Sequence, residues 1–193
     1  MKDVITLHIN GDEIEVGVPT HFTLLETLRY ALGLTGSKQG CDKGDCGACT
    51  VLLDGKAHLA CIMPVYEAIG HQITTVEGLA EGRVPHPLQD AFDLCGAAQC
   101  GFCTPGILCS AYGLLAENAD PSRDEIRRAL SGNLCRCTGY TKIFEAVEVA
   151  AESLRSGADP RDIVAERYEL AFPSSSLQPA KHTAGSSTGA SHA

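Results

Sequence analysis

Eight of the ten cysteines in the chain fall into two groups of four, and this arrangement restricts the possible folds more than any other feature. The first group has the spacing C-x4-C-x2-C-x11-C, and the second pairs C-x2-C with a distant C-x-C. The first quartet is Cys41, Cys46, Cys49 and Cys61, and the second quartet is Cys100, Cys103, Cys135 and Cys137. Because four clustered thiols typically bind metal, the sequence predicts two metal centres.

The spacing of the first quartet is that of a plant-type [2Fe–2S] site, in which three thiolates come from one loop and the fourth from a separate segment. The loop over residues 40–49 contains Gly40, Gly44 and Gly47, which permit positive φ and a close approach of the backbone to a cluster. Ferric ions favour soft, anionic thiolate ligands, and hydrogen bonds to the sulfurs tune the reduction potential. We therefore predict a [2Fe–2S] cluster here.

Disulfides and zinc are the alternatives for so many cysteines. A disulfide framework is typical of small secreted chains, whereas the N-terminus alternates like a strand and does not resemble a signal peptide. The absence of a long apolar stretch predicts no membrane span, and the expected location is cytoplasmic. Structural zinc sites usually pair two C-x2-C motifs, a pattern that neither quartet follows. Iron–sulfur clusters are favoured, and Cys95 and Cys109, which fit neither quartet, receive no role.

The charge of the chain excludes some partners. There are 24 acidic and 15 basic residues among 193, and the formal net charge is −9. Such a chain is repelled by nucleic acids and by anionic membrane surfaces. We expect neither as a partner.

Local patterns predict an α+β fold in which residues 1–79 form one domain. Two hairpins, with turns at Asn10-Gly11 and Asp54-Gly55, flank a helix that should begin at a Thr20 cap and end at Gly33. The second hairpin returns the chain to the cysteine loop, and a short strand follows at 73–76. The expected result is a plant-type ferredoxin-like domain of the β-grasp kind.

A second domain is predicted over residues 84–156, where the apolar period changes from that of strands to that of helices. Four short helices are expected from the caps and apolar stripes, over 88–94, 104–117, 122–132 and 141–154. They should form an all-α four-helix bundle that holds the second quartet near helix ends. A third segment, 157–193, is predicted to contain a short helix from Asp159-Pro160 to about Phe172, followed by a low-complexity tail. We expect this extension to lie along a partner subunit.

Four segments of the sequence resemble motifs of the xanthine oxidase family of molybdenum hydroxylases. The segments at 98–106 (AQCGFCTPG) and 132–140 (GNLCRCTGY) are similar to that family's second-cluster motifs, and the loop at 40–50 is similar to its first. The similarity extends over about residues 2–155. The chain leaves no room for flavin or molybdenum domains, so it resembles the separate small subunit of bacterial members such as carbon monoxide dehydrogenase, quinoline oxidoreductase and 4-hydroxybenzoyl-CoA reductase.

This resemblance implies an electron-transfer subunit with two [2Fe–2S] clusters. By the same resemblance, Gln99 and Cys137 contact the pterin of a molybdenum cofactor on a large subunit, and the plant-type cluster faces FAD on a medium subunit. The expected assembly is a dimer of heterotrimers, and no residue of this chain is expected to transform substrate. The substrate stays open among N-heterocycles, aldehydes, carbon monoxide and aromatic acyl-CoA, as does the direction of electron flow. A free-standing two-cluster ferredoxin is the alternative function.

Overall fold

The computed structural model describes residues 2–171, and within that range the chain is an α+β protein. Five strands form one mixed sheet in the order β2-β1-β5-β3-β4, in which only the β1–β5 pair is parallel. The strands are β1 (Lys2–Ile9), β2 (Asp12–Pro19), β3 (Thr50–Leu53), β4 (Lys56–Leu59) and β5 (Gln72–Thr74). The helices are α1 (Leu24–Glu26), α2 (Pro87–Leu94), α3 (Thr104–Glu117), α4 (Arg123–Ala129), α5 (Thr141–Ser156) and α6 (Pro160–Ala171).

Both predicted hairpins are confirmed, and their turns explain why they form. Asn10 and Gly11 have φ of 54° and 89°, and Asp54 and Gly55 have φ of 49° and 80°. Two consecutive residues with positive φ match the twist of the adjoining strands in a two-residue turn. The second turn leads into β4, whose end delivers Cys61 to the cysteine loop.

The first helix begins at Thr23, so the prediction that Thr20 caps it is wrong. The Thr23 hydroxyl accepts from the Glu26 N–H at 3.2 Å, and the Glu26 carboxylate accepts from the Thr23 N–H at 2.8 Å. Thr20 has no Glu or Gln three residues later and cannot form this reciprocal pair. After one α-helical turn the chain continues as a π-helix over Thr27–Ala31.

The helices predicted after residue 84 are present, with small differences at their ends. His86 caps α2, Cys103 occupies the N-cap position of α3, and α4 ends at Ala129, three residues before the predicted stop. The predicted helix in the extension is confirmed as α6, which packs on α2 and α5. Its apolar stripe is buried only in part, because Ile163 is enclosed whereas Leu170 is 77% exposed. The tail predicted for 173–193 lies outside the described residues.

Strand β3 connects two hydrophobic cores. Its sequence is continuously apolar after Thr50, and all four of its residues are buried. Val51 and Leu53 face the core formed by the sheet and α1, whereas Leu52 belongs to the core formed by the later helices. Successive side chains of a strand point to opposite faces, so this strand is covered on both sides. Helix α3 supplies the cover on the second face.

Candidate metal centres

The four cysteines of the first quartet lie at one end of the sheet. Cys41 and Cys46 lie in the loop before β3 and are partly exposed, whereas Cys49 and Cys61 are buried near the start of β3 and the end of β4. Cys41 and Cys46 lie close enough for each thiol to affect the pKa of the other, and Cys61 lies close enough to Cys49 to affect the pKa of Cys49. The four sulfurs therefore approach as two pairs.

Backbone N–H groups of the loop surround the Cys41 sulfur. The N–H groups of Asp45 and Cys46 donate to it at 3.3 and 3.4 Å. Hydrogen bonds from the backbone of Lys43, Cys46 and Asp45 lower the pKa of the Cys41 thiol to about 6. A sulfur that accepts several N–H donors is stabilised as an anion, which is the form that binds iron. The loop thus favours a thiolate at this position.

Burial has the opposite effect on the deeper thiols. It raises the pKa of Cys49 to about 12, and it is also the main cause that raises the pKa of Cys103 to about 12. An isolated buried thiolate is costly because it loses its hydration. A bound metal cluster compensates for that loss, since the metal takes the place of the proton. These two positions fit a thiolate that is paired with metal.

The second quartet lies just before two helices. Cys100 and Cys103 precede α3, and Cys135 and Cys137 lie in the turn that precedes α5. Cys100 and Cys137 are exposed and their sulfurs are 3.6 Å apart, while Cys103 and Cys135 lie deeper and are close enough for Cys135 to affect the pKa of Cys103. A tetrahedral metal with metal–sulfur bonds of about 2.3 Å holds two sulfurs about 3.8 Å apart. The separation of Cys100 and Cys137 is close to that value, so one iron could take this pair as ligands.

The pairwise approach of the thiols is an arrangement that a binuclear cluster can use. A binuclear cluster has two metals that each bind two cysteines, so two neighbouring pairs satisfy it. Both quartets provide such pairs.

Thr138 and Tyr140 support the second quartet, and the sequence reasoning assigned them no role of their own. The Thr138 hydroxyl lies 3.1 Å from the Cys135 sulfur. Burial opposes ionisation of Cys135, yet hydrogen bonds from the Thr138 hydroxyl and nearby N–H groups outweigh it and lower the pKa of this thiol. The Tyr140 phenol accepts from the Cys135 N–H at 2.8 Å and donates to the Asn133 carbonyl at 3.0 Å. Together they hold the sulfur and the turn that carries it.

Four further residues discussed in the sequence analysis lie either at the surface or in the helical core. Gln99 and Arg136 are both exposed and lie next to the exposed Cys100 and Cys137. Cys95 and Cys109 are buried among apolar residues of the helical core, and neither belongs to a quartet. Burial raises the pKa of Cys95 to about 11 and that of Cys109 to about 12, as expected for neutral thiols in a core.

A sheet domain with a cysteine loop and helices that carry a second quartet define an iron–sulfur protein with two metal-binding units. Two family models match it: residues 7–66 match a 2Fe-2S iron-sulfur cluster binding domain, and residues 75–148 match a [2Fe-2S] binding domain. The chain belongs to the xanthine oxidase family, in which it is an iron–sulfur subunit of a multi-subunit molybdenum-dependent oxidoreductase. Its cofactors are two [2Fe–2S] clusters, one for each matched domain.

Three relatives illustrate the similarity. The nicotinate dehydrogenase small FeS subunit of Eubacterium barkeri is 46% identical over 151 residues, which cover 78% of this chain and 96% of the relative. The solved structure of quinoline 2-oxidoreductase from Pseudomonas putida 86 has a TM-score of 0.77 and 46% identity, and the match covers 81% of this chain and 98% of that one. Aldehyde oxidoreductase from Desulfovibrio desulfuricans has a TM-score of 0.80 and 45% identity over 83% of this chain, but the match covers only 18% of that longer chain.

None of the helices in the described part of the chain is both long and apolar enough to cross a bilayer.

Proposed function

We propose that this protein relays electrons between a molybdenum cofactor that a large subunit holds and FAD that a medium subunit holds. Bound to the two quartets, a pair of [2Fe–2S] clusters would supply the one-electron carriers of this relay. The observation that carries the proposal is the convergence of both quartets as thiol pairs on two adjoining domains. The chain's own residues hold and tune these centres, and none of them is proposed to transform substrate.

The ligands that we propose are the eight quartet cysteines. Cys41, Cys46, Cys49 and Cys61 would hold the plant-type cluster, and Cys100, Cys103, Cys135 and Cys137 would hold the other. In the first site, N–H donors to sulfur would stabilise charge on the exposed side, while burial of two cysteines limits water on the inner side. In the second site, Thr138 would donate to the Cys135 sulfur.

The surface beside Cys137 is the proposed contact with the pterin. Gln99 and Cys137 are both exposed, and Cys137 is joined through its sulfur contact to Cys100, the residue after Gln99. A glutamine amide offers donors and an acceptor, which suits the mixed edge of a pterin. The first cluster's loop would then face the flavin subunit. We propose a dimer of heterotrimers as the complete assembly, in which the large subunit binds the substrate.

The domain limits are part of the same proposal. We place the plant-type ferredoxin-like domain, of the β-grasp kind, at 1–79, a four-helix bundle at 84–156 and the extension at 157–193. The separate buried cores on either side of β3 support two units. Packing of α6 on α2 and α5 adds part of the extension to the second unit.

Purification of the complex from its native cells tests this function. We expect the chain to elute with two larger partners, one containing molybdenum and the other flavin, and to show the electron paramagnetic resonance (EPR) signals of two different [2Fe–2S] clusters. A monomer that transfers electrons efficiently without larger partners would instead support the free-standing ferredoxin. Zinc without iron or labile sulfide would contradict both functions.

Thr138→Val should lower the reduction potential of the helical-domain cluster. A hydroxyl that donates to a ligand sulfur stabilises the more negative, reduced state, so its removal favours the oxidised state. A hydrogen bond worth about 1 kcal/mol corresponds to about 40 mV for one electron. Thr138→Ser keeps the hydroxyl and is the matched control. EPR-monitored redox titration should show the shift in one cluster only, and equal potentials in the two variants would refute this role.

A further inference from the structure

The two cysteine loops touch each other through their backbones. The Leu134 N–H, one residue before Cys135, donates to the carbonyl of Cys46 at 2.9 Å. One hydrogen bond therefore joins the backbone of a first-quartet cysteine to the residue that precedes a second-quartet cysteine. We call this hydrogen bond the loop bridge.

Asn133 lies beside the loop bridge and is only 3% exposed. Its side-chain amide donates to the carbonyl of Gly47 at 3.0 Å and to the hydroxyl of Thr50 at 3.3 Å. Both acceptors belong to the first cysteine loop or the strand that leaves it, whereas Asn133 belongs to the second. A buried amide is costly unless it is hydrogen-bonded, so these contacts favour one relative position of the loops.

The backbones in this contact approach so closely that only glycine fits at two positions. A Cβ atom on Gly47 would lie 2.3 Å from the Gly132 carbonyl oxygen, and one on Gly106 would lie 2.2 Å from the Gly47 carbonyl oxygen. Three backbone segments thus meet without intervening side chains, and the Asn133 amide bonds from the second cysteine loop to the first.

We propose that Asn133 is a positioning residue that keeps the loop bridge closed and so fixes the two metal centres relative to each other. This inference rests on the proposed relay, because only a protein that transfers electrons between its two centres needs this fixed arrangement. Asn133 contacts neither centre's sulfurs in the described hydrogen bonds and would act through Gly47, Cys46 and Leu134.

Asn133→Ala in the full-length chain tests the proposal. Loss of both amide contacts should raise amide hydrogen exchange in peptides that contain Leu134 about tenfold, while exchange in β3 stays slow. The magnetic coupling between the two reduced clusters should weaken in EPR spectra, although each cluster keeps its own g-values. Asn118→Ala is the matched control, since Asn118 makes two side-chain hydrogen bonds within the helical half and should change neither readout.

Thr50→Val provides a second test if Asn133→Ala does not take up clusters. It removes one acceptor of the Asn133 amide, together with the bond from the Thr50 hydroxyl to the Gly47 carbonyl, but keeps the bond from Asn133 to Gly47, so it should shift both readouts in the same direction by a smaller factor. Unchanged exchange at Leu134 and unchanged coupling in a fully loaded Asn133→Ala or Thr50→Val protein would overturn the positioning role. A wild-type chain without two clusters would overturn the relay instead, and iron and sulfide analysis detects that outcome before any variant is compared.

Discussion

Cys49→Ala is expected to remove the plant-type cluster and leave the helical-domain cluster in place. Cys49 is 2% exposed and lies near Cys61, so alanine fits the space but cannot bind iron. Iron and labile sulfide should fall to about half of the wild-type content, because each cluster contributes two irons. Visible circular dichroism and EPR should then show one type of cluster. Cys103→Ala should remove the other signal and keep this one.

Cys95→Ala is the matched control for both variants. Cys95 is also buried, at 3% exposure, but lies in the helical core outside both quartets. Its replacement should leave the iron content unchanged, with only the modest loss of stability that follows from a smaller core side chain. Full iron content in Cys49→Ala, or loss of iron in Cys95→Ala, would contradict the ligand assignment.

Gly47→Ala should destabilise the folded chain strongly. Gly47 has φ of 71°, a conformation that costs a non-glycine residue about 1–2 kcal/mol. The added Cβ would also lie 2.3 Å from the Gly132 carbonyl oxygen and 2.9 Å from the Asn133 Cα, and backbone atoms cannot move aside as a side chain can. Overpacking of this kind typically adds about 1–3 kcal/mol. The free energy of unfolding should therefore fall by about 3 kcal/mol.

Gly55→Ala separates the two causes. Gly55 has a similar φ of 80°, but a Cβ there would meet nothing within 4 Å. This variant should lose only the conformational part, about 1 kcal/mol. Denaturant unfolding, followed by cluster absorbance and far-ultraviolet circular dichroism, measures both variants. Equal losses in Gly47→Ala and Gly55→Ala would show that the close contact of the loops contributes nothing.

Local sequence signals predicted most of the secondary structure because the relevant interactions are local. Asn10-Gly11 and Asp54-Gly55 define tight turns by themselves, and Ser122 with Glu125 forms the expected capping box at α4. The wrong prediction of the first helix cap also concerns a local interaction. Thr20 and Thr23 are both acceptable caps, and only the reciprocal bonds with Glu26 distinguish them.

Contacts between distant segments could not be predicted in this way. The cysteine spacing indicated which thiols belong together, but it gave no information on how the two loops meet. Asn133 bonds to Gly47 across 86 positions of sequence, and no periodic pattern or motif reports such a contact. The role of Thr138 depends on the turn that brings its hydroxyl to Cys135, which is likewise a property of the folded chain.

The shared strand β3 and the glycine-lined meeting of the loops also restrict how this protein can be recombined. In many multidomain proteins the units are joined by a flexible linker and can be exchanged as modules. Here a chimaera that takes its sheet half from one homologue and its helical half from another would need matching residues at 47, 106 and 133, and a compatible Leu52 side chain. We therefore expect the two halves to be inherited together. In protein engineering they should be exchanged together as one unit.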